Sequence, residues 1–534
     1  MVGIMEIKLR DYQEKQLAFL NKYADDDTAA RGQIFSANIS LMSPTGSGKS
    51  YVILKFIKDY FSKYSNKKIV ISTGFNNLVK QFYETACECD IPAIILAGKG
   101  GCVCSAKLKD NEQNLYDIHN AFYPQRRHKC DPNDCYLCGR KDNPDKCLYT
   151  KVINKIKARG NLLIITNHST LLANQALFQE STNGGFIDEC QTFADFYESH
   201  LRIEVPFHQL RQIYTYMQND SALRRSPFST VFRQACLNGR LTPETINKVL
   251  PLATSKKSSY GNIVKLEHVF PVIAKNMYDY AEVEPQTDNY IYPQIIDDEH
   301  IGLVVDKFFD FVDLANNYCI VSATVDTYTK SIFEIYEDYR NYEETECHTM
   351  DYEHSHFCLY NGMTPANILH FIEMNKERDH GMLLSTRLDL LEKLGEKLGP
   401  YDIIDNKKDF VDGKKQILVG SRSLFQGVDI PEVEFVMLNK IPFSRYDEGY
   451  KKKMRFFENR GHQSFSFYTK PHTENALIQS MGRLWRKPGD SGNVAIFDSV
   501  ACRKHPDIIR NALSCRKGII CKEYINGKQC DWRI

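Results

Sequence analysis

The sequence predicts an α/β protein built on two parallel sheets, with two insertions in the first half. Three observations predict it. A glycine-rich turn, Ser43 to Ser50 (SPTGSGKS), lies between a short apolar run and a helix-periodic one. Further apolar runs of strand length recur along the chain, several of them ending in small or polar residues. A block of six cysteines between Cys102 and Cys147, polar and turn-rich inside, interrupts that alternation early, and a polar, aromatic-bearing stretch interrupts it again later.

The turn comes first because its chemistry is most specific. Ile39, Leu41 and Met42 read as the end of a buried strand, and Lys49 to Tyr60 as a helix with Val52, Ile53, Phe56, Ile57 and Tyr60 on one side. Between them, Gly46 and Gly48 let backbone N–H groups turn inward around phosphate oxygens, with Thr45 and Ser47 completing the loop. The helix N-terminus adds its positive dipole end, Lys49 reaches the β/γ-phosphates and Ser50 ligates Mg²⁺. Ser43 stands where such loops usually open on glycine. The expected ligand is a nucleoside triphosphate. Upstream, in LRDYQEKQ, Arg10 and Gln13 lie three apart near a helix start, and a Gln amide offers an adenine edge both a donor and an acceptor.

Composition sets bounds. A chain of 534 residues holds several domains, and 43% hydrophobic with 25% charged residues is ordinary globular content. No run approaches a membrane span, and MVGIMEIKLR lacks a signal-peptide apolar core, so the expectation is a cytoplasmic protein with no membrane partner. Net charge is +1, so any nucleic-acid binding must come from local patches. Seventeen cysteines without a secretory signal point to reduced thiols and to metal binding at the local cluster.

After the turn, Lys68 to Thr73 (KIVIST) is a second buried strand, and Thr73 and Gln81 are candidate contacts for a nucleic-acid strand. Cys130, Cys135, Cys138 and Cys147 are spaced C-x4-C-x2-C-x8-C, which suits a tetrahedral zinc or a four-iron cluster. Asn161 to Ile165 forms another strand, then Phe186 and Ile187 lead into Asp188-Glu189. A carboxylate at a strand end binds Mg²⁺ and its neighbour deprotonates an attacking water. From about Ser199 to His300 the pattern turns polar and helical, and nothing catalytic appears in it. Strand character returns at Ile301 to Val305 and at Tyr318 to Thr324, where Ser322 and Thr324 are placed to hydrogen-bond toward the Asp188 region. A second α/β unit follows, with strands at 381–385, 416–420, 435–438 and 493–497. In IQSMGRLWRKPGDSG, Gln479, Arg483 and Arg486 share a helix face, and guanidinium groups from a second domain stabilise a transferring γ-phosphoryl.

Taken together, these stretches resemble the superfamily 2 helicases of the XPD and DinG type. The likeness runs through LRDYQ, SPTGSGKS, STGFNNLVKQ, IDECQ, VSAT, LLSTRLDLL, SLFQGVDIP and QSMGRLWR in the family's order, with LNKIPFSRYDE similar to its KLPF segment. CLYTKVINKIKARGNLLIITNHSTLL is similar to the passage that leads from the last cluster cysteine to an Asn-His. The resemblance implies two RecA-like motor domains, the first assembled from 1–95, 151–198 and 301–325 and the second from 326–534. It implies an iron-sulfur domain at 96–150 and a mostly helical, arch-like insertion at 199–300. Lys49 and Ser50 then hold phosphate and Mg²⁺, Asp188 binds the metal and Glu189 is the base. Gln479, Arg483 and Arg486 complete the site, while Gly427 and Asp429 couple it to DNA. A [4Fe-4S] cluster is expected on Cys104, Cys135, Cys138 and Cys147, with Cys102 and Cys130 as alternates. The implied activity is ATP-dependent 5′ to 3′ translocation on single-stranded DNA by a monomer that unwinds duplex or forked DNA, in the nucleoid or, for a viral protein, in the host cytoplasm. The rivals are a zinc-stabilised ATPase that moves without separating strands and a non-enzymatic redox-sensing module. The family's Ala-His after the acidic pair is Cys190-Gln191 here, and Gln426 stands where DinG-like proteins often carry Glu.

Overall fold

The computed structural model of the chain describes residues 6–43, 47–104, 116–122, 129, 147–206, 289–295, 301–309, 311–312, 314, 316–340, 352–385, 401–404, 409, 414–420, 433–444, 446, 448–482, 484–485, 490–514, 519–525 and 528–531. It divides into two compact units, one of 1–194, 313–443 and 466–534, the other of 195–312 and 444–465.

In chain order the strands of the first half are β1 (Ile39–Met42), β2 (Lys68–Thr73), β3 (Ala93–Leu96), β4 (Leu162–Asn167) and β5 (Gly185–Asp188). The second unit supplies β6 (Ile203–Pro206), β7 (Asn289–Ile295) and β8 (Ile301–Lys307). The chain then forms β9 (Tyr318–Ser322) and β10 (Glu337–Arg340). The last group is β11 (His356–Tyr360), β12 (His380–Leu384), β13 (Asp402–Ile404), β14 (Gln416–Gly420), β15 (Phe435–Leu438), β16 (Asn493–Ile496), β17 (Ile520–Ile525) and β18 (Lys528–Asp531).

The larger unit contains two sheets, the two expected lobes. The first has the order β10-β1-β9-β5-β2-β4-β3, and every neighbouring pair in it is parallel. The second runs β13-β14-β12-β15-β16-β11-β17-β18, parallel except for the final β17–β18 hairpin. Parallel strands are covered on both faces, so they need near-continuous apolar runs, and β1, β3, β9, β12 and β15 are buried along their whole length. Alternate residues serve opposite faces. Met382, Leu384, Val436 and Leu438 pack with Leu477, Trp485 and Ile508 on one side, whereas Leu383, Phe435 and Met437 pack with Ile368 and Phe371 on the other. β5 lies so close to β2 that a Cβ on Gly185 would sit 1.8 Å from the Val70 carbonyl oxygen.

One strand belongs elsewhere than the sequence suggests. Ile301–Val305 is extended as expected, but β8 pairs antiparallel with β6 and β7 in a separate three-stranded sheet and does not join the first lobe. An apolar run of that length suits either role. The adjacent NYIYPQI segment makes it half of a hairpin. The first sheet, for its part, continues past Val325 to β10. The interior of the expected helical insertion, 207–288, lies outside the described residues.

Within the smaller unit, the helix Glu448–Asn459 buries Met454, Phe456 and Phe457. Lys453, itself buried, is ion-paired there with Glu198.

Candidate nucleotide-binding and hydrolysis site

Three neighbouring strands end level. Met42 of β1 is opposite Ser322 of β9, and Val321 is opposite Asp188 of β5. The glycine-rich turn, the VSAT serine and the acidic pair therefore meet at the carboxyl edge of one sheet, where open parallel sheets bind ligands.

The turn is held by its flanks. Gly48 precedes the helix Lys49–Lys63 with φ +77°, a conformation that favours glycine, and a Cβ there would approach Gln13 Nε2 to 2.5 Å and push that amide aside. Lys49 Nζ donates to the Ser43 carbonyl at 2.8 Å. The expected helix face is buried, with Leu54 added to it. Pro44, Thr45 and Gly46 lie outside the described residues.

Arg10 caps the helix Asp11–Lys22, and its N–H donates to Gln13 Oε1 at 2.9 Å. Gln13 Nε2 donates in turn to the Ser47 carbonyl at 2.9 Å, so the expected base-reading residue is also tied to the phosphate loop. Arg10, Gln13, Ser47, Gly48 and Tyr51 line an open recess of about 360 Å³.

At the end of β5, burial first and the Glu189 charge second push the Asp188 carboxyl up to about 7, while Lys49 opposes them. A carboxylate so desolvated favours a cation beside it. With the Ser50 hydroxyl it supplies the hard oxygen donors that Mg²⁺ takes. Glu189 sits in the left-handed region at φ 55°, ψ 42°. Such a conformation costs a non-glycine residue about 1–3 kcal/mol and must be held. Thr192 holds it, donating both N–H and Oγ1 to the Glu189 carbonyl at 2.9 Å.

Gln191 links the acidic pair to β9. Its Nε2 donates to the Glu189 carboxylate, and Ser322 Oγ donates to its Oε1. Thr324 N donates to Ser322 Oγ at 3.0 Å, and Ser43 N to the Ser322 carbonyl at 3.1 Å. Cys190 is fully buried, and burial pushes its thiol well up, so it serves as a small core residue.

His168 is also fully buried. Its Nδ1 is 2.8 Å from Ser72 Oγ, and the ring meets Phe193 edge-on at 5.0 Å. Burial drives the imidazole down to about 3, against hydrogen bonds with the main chain at Glu189 and Asp188 that favour the charged form. The neutral ring thus sits between Ser72 of β2 and Phe193, which follows the acidic turn. Thr73 ends β2 fully buried, with no partner for its hydroxyl among the described residues, while Gln81 is exposed.

A solved structure titled "XPD_Helicase" covers 97% of this chain and matches with a TM-score of 0.56 at 13% identity, over 100% of its own length. The fold is that of the XPD helicase. A second solved structure, "XPD_APO", matches at 0.51 with 12% identity over 96% of this chain and 100% of its own. Within this XPD-type fold, residues 376–513 match the helicase C-terminal domain family. Residues 6–134 match the family described as type III restriction enzyme, res subunit. The chain is 35% identical over 100 residues to the ATP-dependent helicase DinG of Mycobacterium tuberculosis, an overlap of 18% of this chain and 15% of the relative. It is 31% identical over 134 residues to the ATP-dependent DNA helicase DinG of Photobacterium profundum, 24% of this chain and 19% of the relative. The DinG of Bacillus subtilis, 31% identical over 94 residues (17% and 10%), bears the name 3'-5' exonuclease. These overlaps span less than a fifth of each relative.

In the second lobe of the XPD-type fold, Gln479 lies on the helix Lys470–Met481. One turn earlier on that face, Asn475 Nδ2 donates to Asp326 Oδ2 of the first lobe at 2.7 Å. Tyr328 packs edge-on against Phe467 and Tyr468 beside it. Arg483, Arg486, Gly427 and Asp429 lie outside the described residues, as do Cys130, Cys135 and Cys138. Cys102 and Cys104 are buried just after β3, Cys102 bridging to Phe122, and Cys147 caps the helix Leu148–Lys157. All three are free of disulfides, and among the described residues no three ligands gather in a metal site. Thiols of this kind suit iron or zinc alike.

The sequence motifs do not mark Gln16, the link made by Gln191, the packing of His168 or the Asp326–Asn475 contact. Gln16 had a signal, since it follows Gln13 by three and shares its helix face.

Proposed function

We propose that the chain is an ATP-dependent DNA helicase that moves along single-stranded DNA with 5′ to 3′ polarity and opens duplex or forked DNA. The observation that supports it most is the level ending of β1, β9 and β5, which brings Met42, Ser322 and Asp188 to one sheet edge, with Glu189 directly after β5 and the glycine-rich turn to Lys49 after β1. In this reading Arg10 and Gln13 meet the adenine, and Thr45 to Ser50 surround the phosphates. Lys49 leaves the Ser43 carbonyl for the β/γ-phosphates. Ser50 and Asp188 hold Mg²⁺, whose charge neutralises the phosphate oxygens. Glu189, aimed by Gln191, accepts the proton of the attacking water. Gln479, Arg483 and Arg486 complement the γ-phosphate from the second lobe, and Gly427 and Asp429 relay its state to the DNA. Cys104, Cys135, Cys138 and Cys147, with Cys102 and Cys130 as alternates, hold a [4Fe-4S] cluster in a reduced cytoplasmic monomer.

Lys49→Ala is expected to lower single-stranded-DNA-stimulated ATP hydrolysis by about 10²-fold or more, the scale of losing a transition-state cation. Turnover at the unmodified rate would remove Lys49 from the site. With tailed duplexes, unwinding is expected on 5′-tailed and not on 3′-tailed substrates, and the reverse result would overturn the polarity.

A further inference from the structure

Ser43 occupies a position where a glycine is usual, and its side chain is fully buried. The structure uses it as a junction. Its N–H goes to Ser322, its carbonyl takes Lys49, and its hydroxyl donates to Ser47 Oγ at 2.7 Å while accepting from Gln16 Nε2 at 3.0 Å. A hydroxyl has one proton to give, and both its donor and one acceptor place are filled. Gln16 is 0% exposed, and its Oε1 has no partner among the described residues.

Burying an amide with one end unmatched is unfavourable unless the other end does something. An apolar side chain would fill that space more cheaply. What the amide does here is fix the rotamer of Ser43, and through it the hydroxyl of Ser47. Gln13, three residues earlier, fixes the Ser47 carbonyl from the same helix. The phosphate loop is thus clamped to the helix Asp11–Lys22 at both the side chain and the main chain of Ser47.

We propose that Gln16 is a positioning residue for nucleotide binding, acting through the Gln16–Ser43–Ser47 hydrogen-bond chain to hold Ser43 and Ser47, the two flanks of the glycine-rich turn, in a fixed relation. This rests on the nucleotide-site reading above. Lys49 and Ser322 meet Ser43 through its main chain, whereas Gln16 meets only its hydroxyl, so Gln16 sets affinity and leaves the hydrolytic step nearly alone.

The test is the near-isosteric Gln16→Met, alone and with Ser43→Ala, using equilibrium binding of a fluorescent N-methylanthraniloyl ATP and steady-state hydrolysis with saturating single-stranded DNA. One lost neutral hydrogen bond predicts about a fivefold rise in Kd and KM for Gln16→Met, with kcat within about twofold. Ser43→Ala should weaken binding similarly, and the double variant no more than the worse single one, because both cut one chain. Unchanged affinity in Gln16→Met, a loss confined to kcat, or effects that multiply in the double variant would each overturn the proposal. Should Gln16→Met melt well below the parent protein, Gln16→Leu replaces it, an apolar side chain with no donor to Ser43, with the same expected loss. Lys49→Ala separates the levels. If it hydrolyses normally the site itself is misread, whereas if it is inactive and Gln16→Met binds normally only the clamp is wrong.

Discussion

At Glu189, the proposed base, the side chain that aims the carboxylate is an amide. Gln191 donates a hydrogen bond to the Glu189 carboxylate and accepts one from Ser322, and an amide presents both functions at every pH. A neutral imidazole offers the same pair, so Gln191→His is expected to retain hydrolysis. Gln191→Glu sets a second carboxylate against Glu189 in place of a donor, and like charges at such range disfavour ionisation of either. The expected outcome is at least a tenfold fall in kcat with nucleotide Kd unchanged, measured with saturating single-stranded DNA. Equal kcat in Gln191→Glu and the parent would mean that Glu189 is aimed by something else. The departure from the family's Ala-His is therefore conservative in chemistry, with Cys190 filling core space.

The element that connects the lobes is the helix Lys470–Met481, which has proline in its first turn and follows a π-helical segment at Phe465–Thr469. Asp326 serves two helices at once. Its Oδ1 accepts from Thr329 N at 2.6 Å and caps Thr327–Ile332, while its Oδ2 accepts from Asn475. Asn475→Ala removes one hydrogen bond between the lobes and leaves the cap intact, so the ratio of DNA-stimulated to basal hydrolysis should fall several-fold while nucleotide affinity without DNA stays put. Asp326→Ala removes the cap as well and should cost about 1 kcal/mol more in melting experiments. Full stimulation in Asn475→Ala would deny the contact any role in coupling. Neither Asp326 nor Asn475 stands out in the sequence, because a capping carboxylate and a helical amide are everywhere. By contrast β1, β2, β5, β9, β12, β14, β15 and β16 were legible, since strands covered on both faces must be apolar throughout. β10 was not. It is an edge strand reading Glu-Asp-Tyr-Arg, held by polar contacts of Glu337 with Tyr23 and Lys22, and of Asp338 with Ser40 and Lys330. The proposed site was marked in the sequence where the expected chemistry dictates residue type, at Lys49, Asp188 and Glu189. It was opaque at Gln16 and His168, whose importance depends on neighbours distant in sequence.

On the scale of the whole molecule, the order of the first sheet separates the proposed hydrolysis site from the cysteine-rich segment. That segment leaves from β3 and returns through the helix Leu148–Lys157 into β4 at one edge, while the phosphate loop follows β1 near the other. Four strands intervene between β1 and β3, which at about 4.8 Å per step puts them roughly 24 Å apart. Loss of a metal centre rooted at the β3–β4 edge should accordingly spare the ATP site and reach only what that edge does to DNA. Anaerobically purified protein is expected to be brown and to carry iron and sulfide in a one-to-one ratio. Cys147→Ser and Cys104→Ser should lose colour and strand separation while retaining most DNA-stimulated hydrolysis, and Cys102→Ser should keep all three. A colourless protein with stoichiometric zinc would replace the iron-sulfur assignment and leave the motor intact. Collapse of hydrolysis in Cys147→Ser, in a protein that still melts cooperatively, would contradict the separation that the strand order imposes.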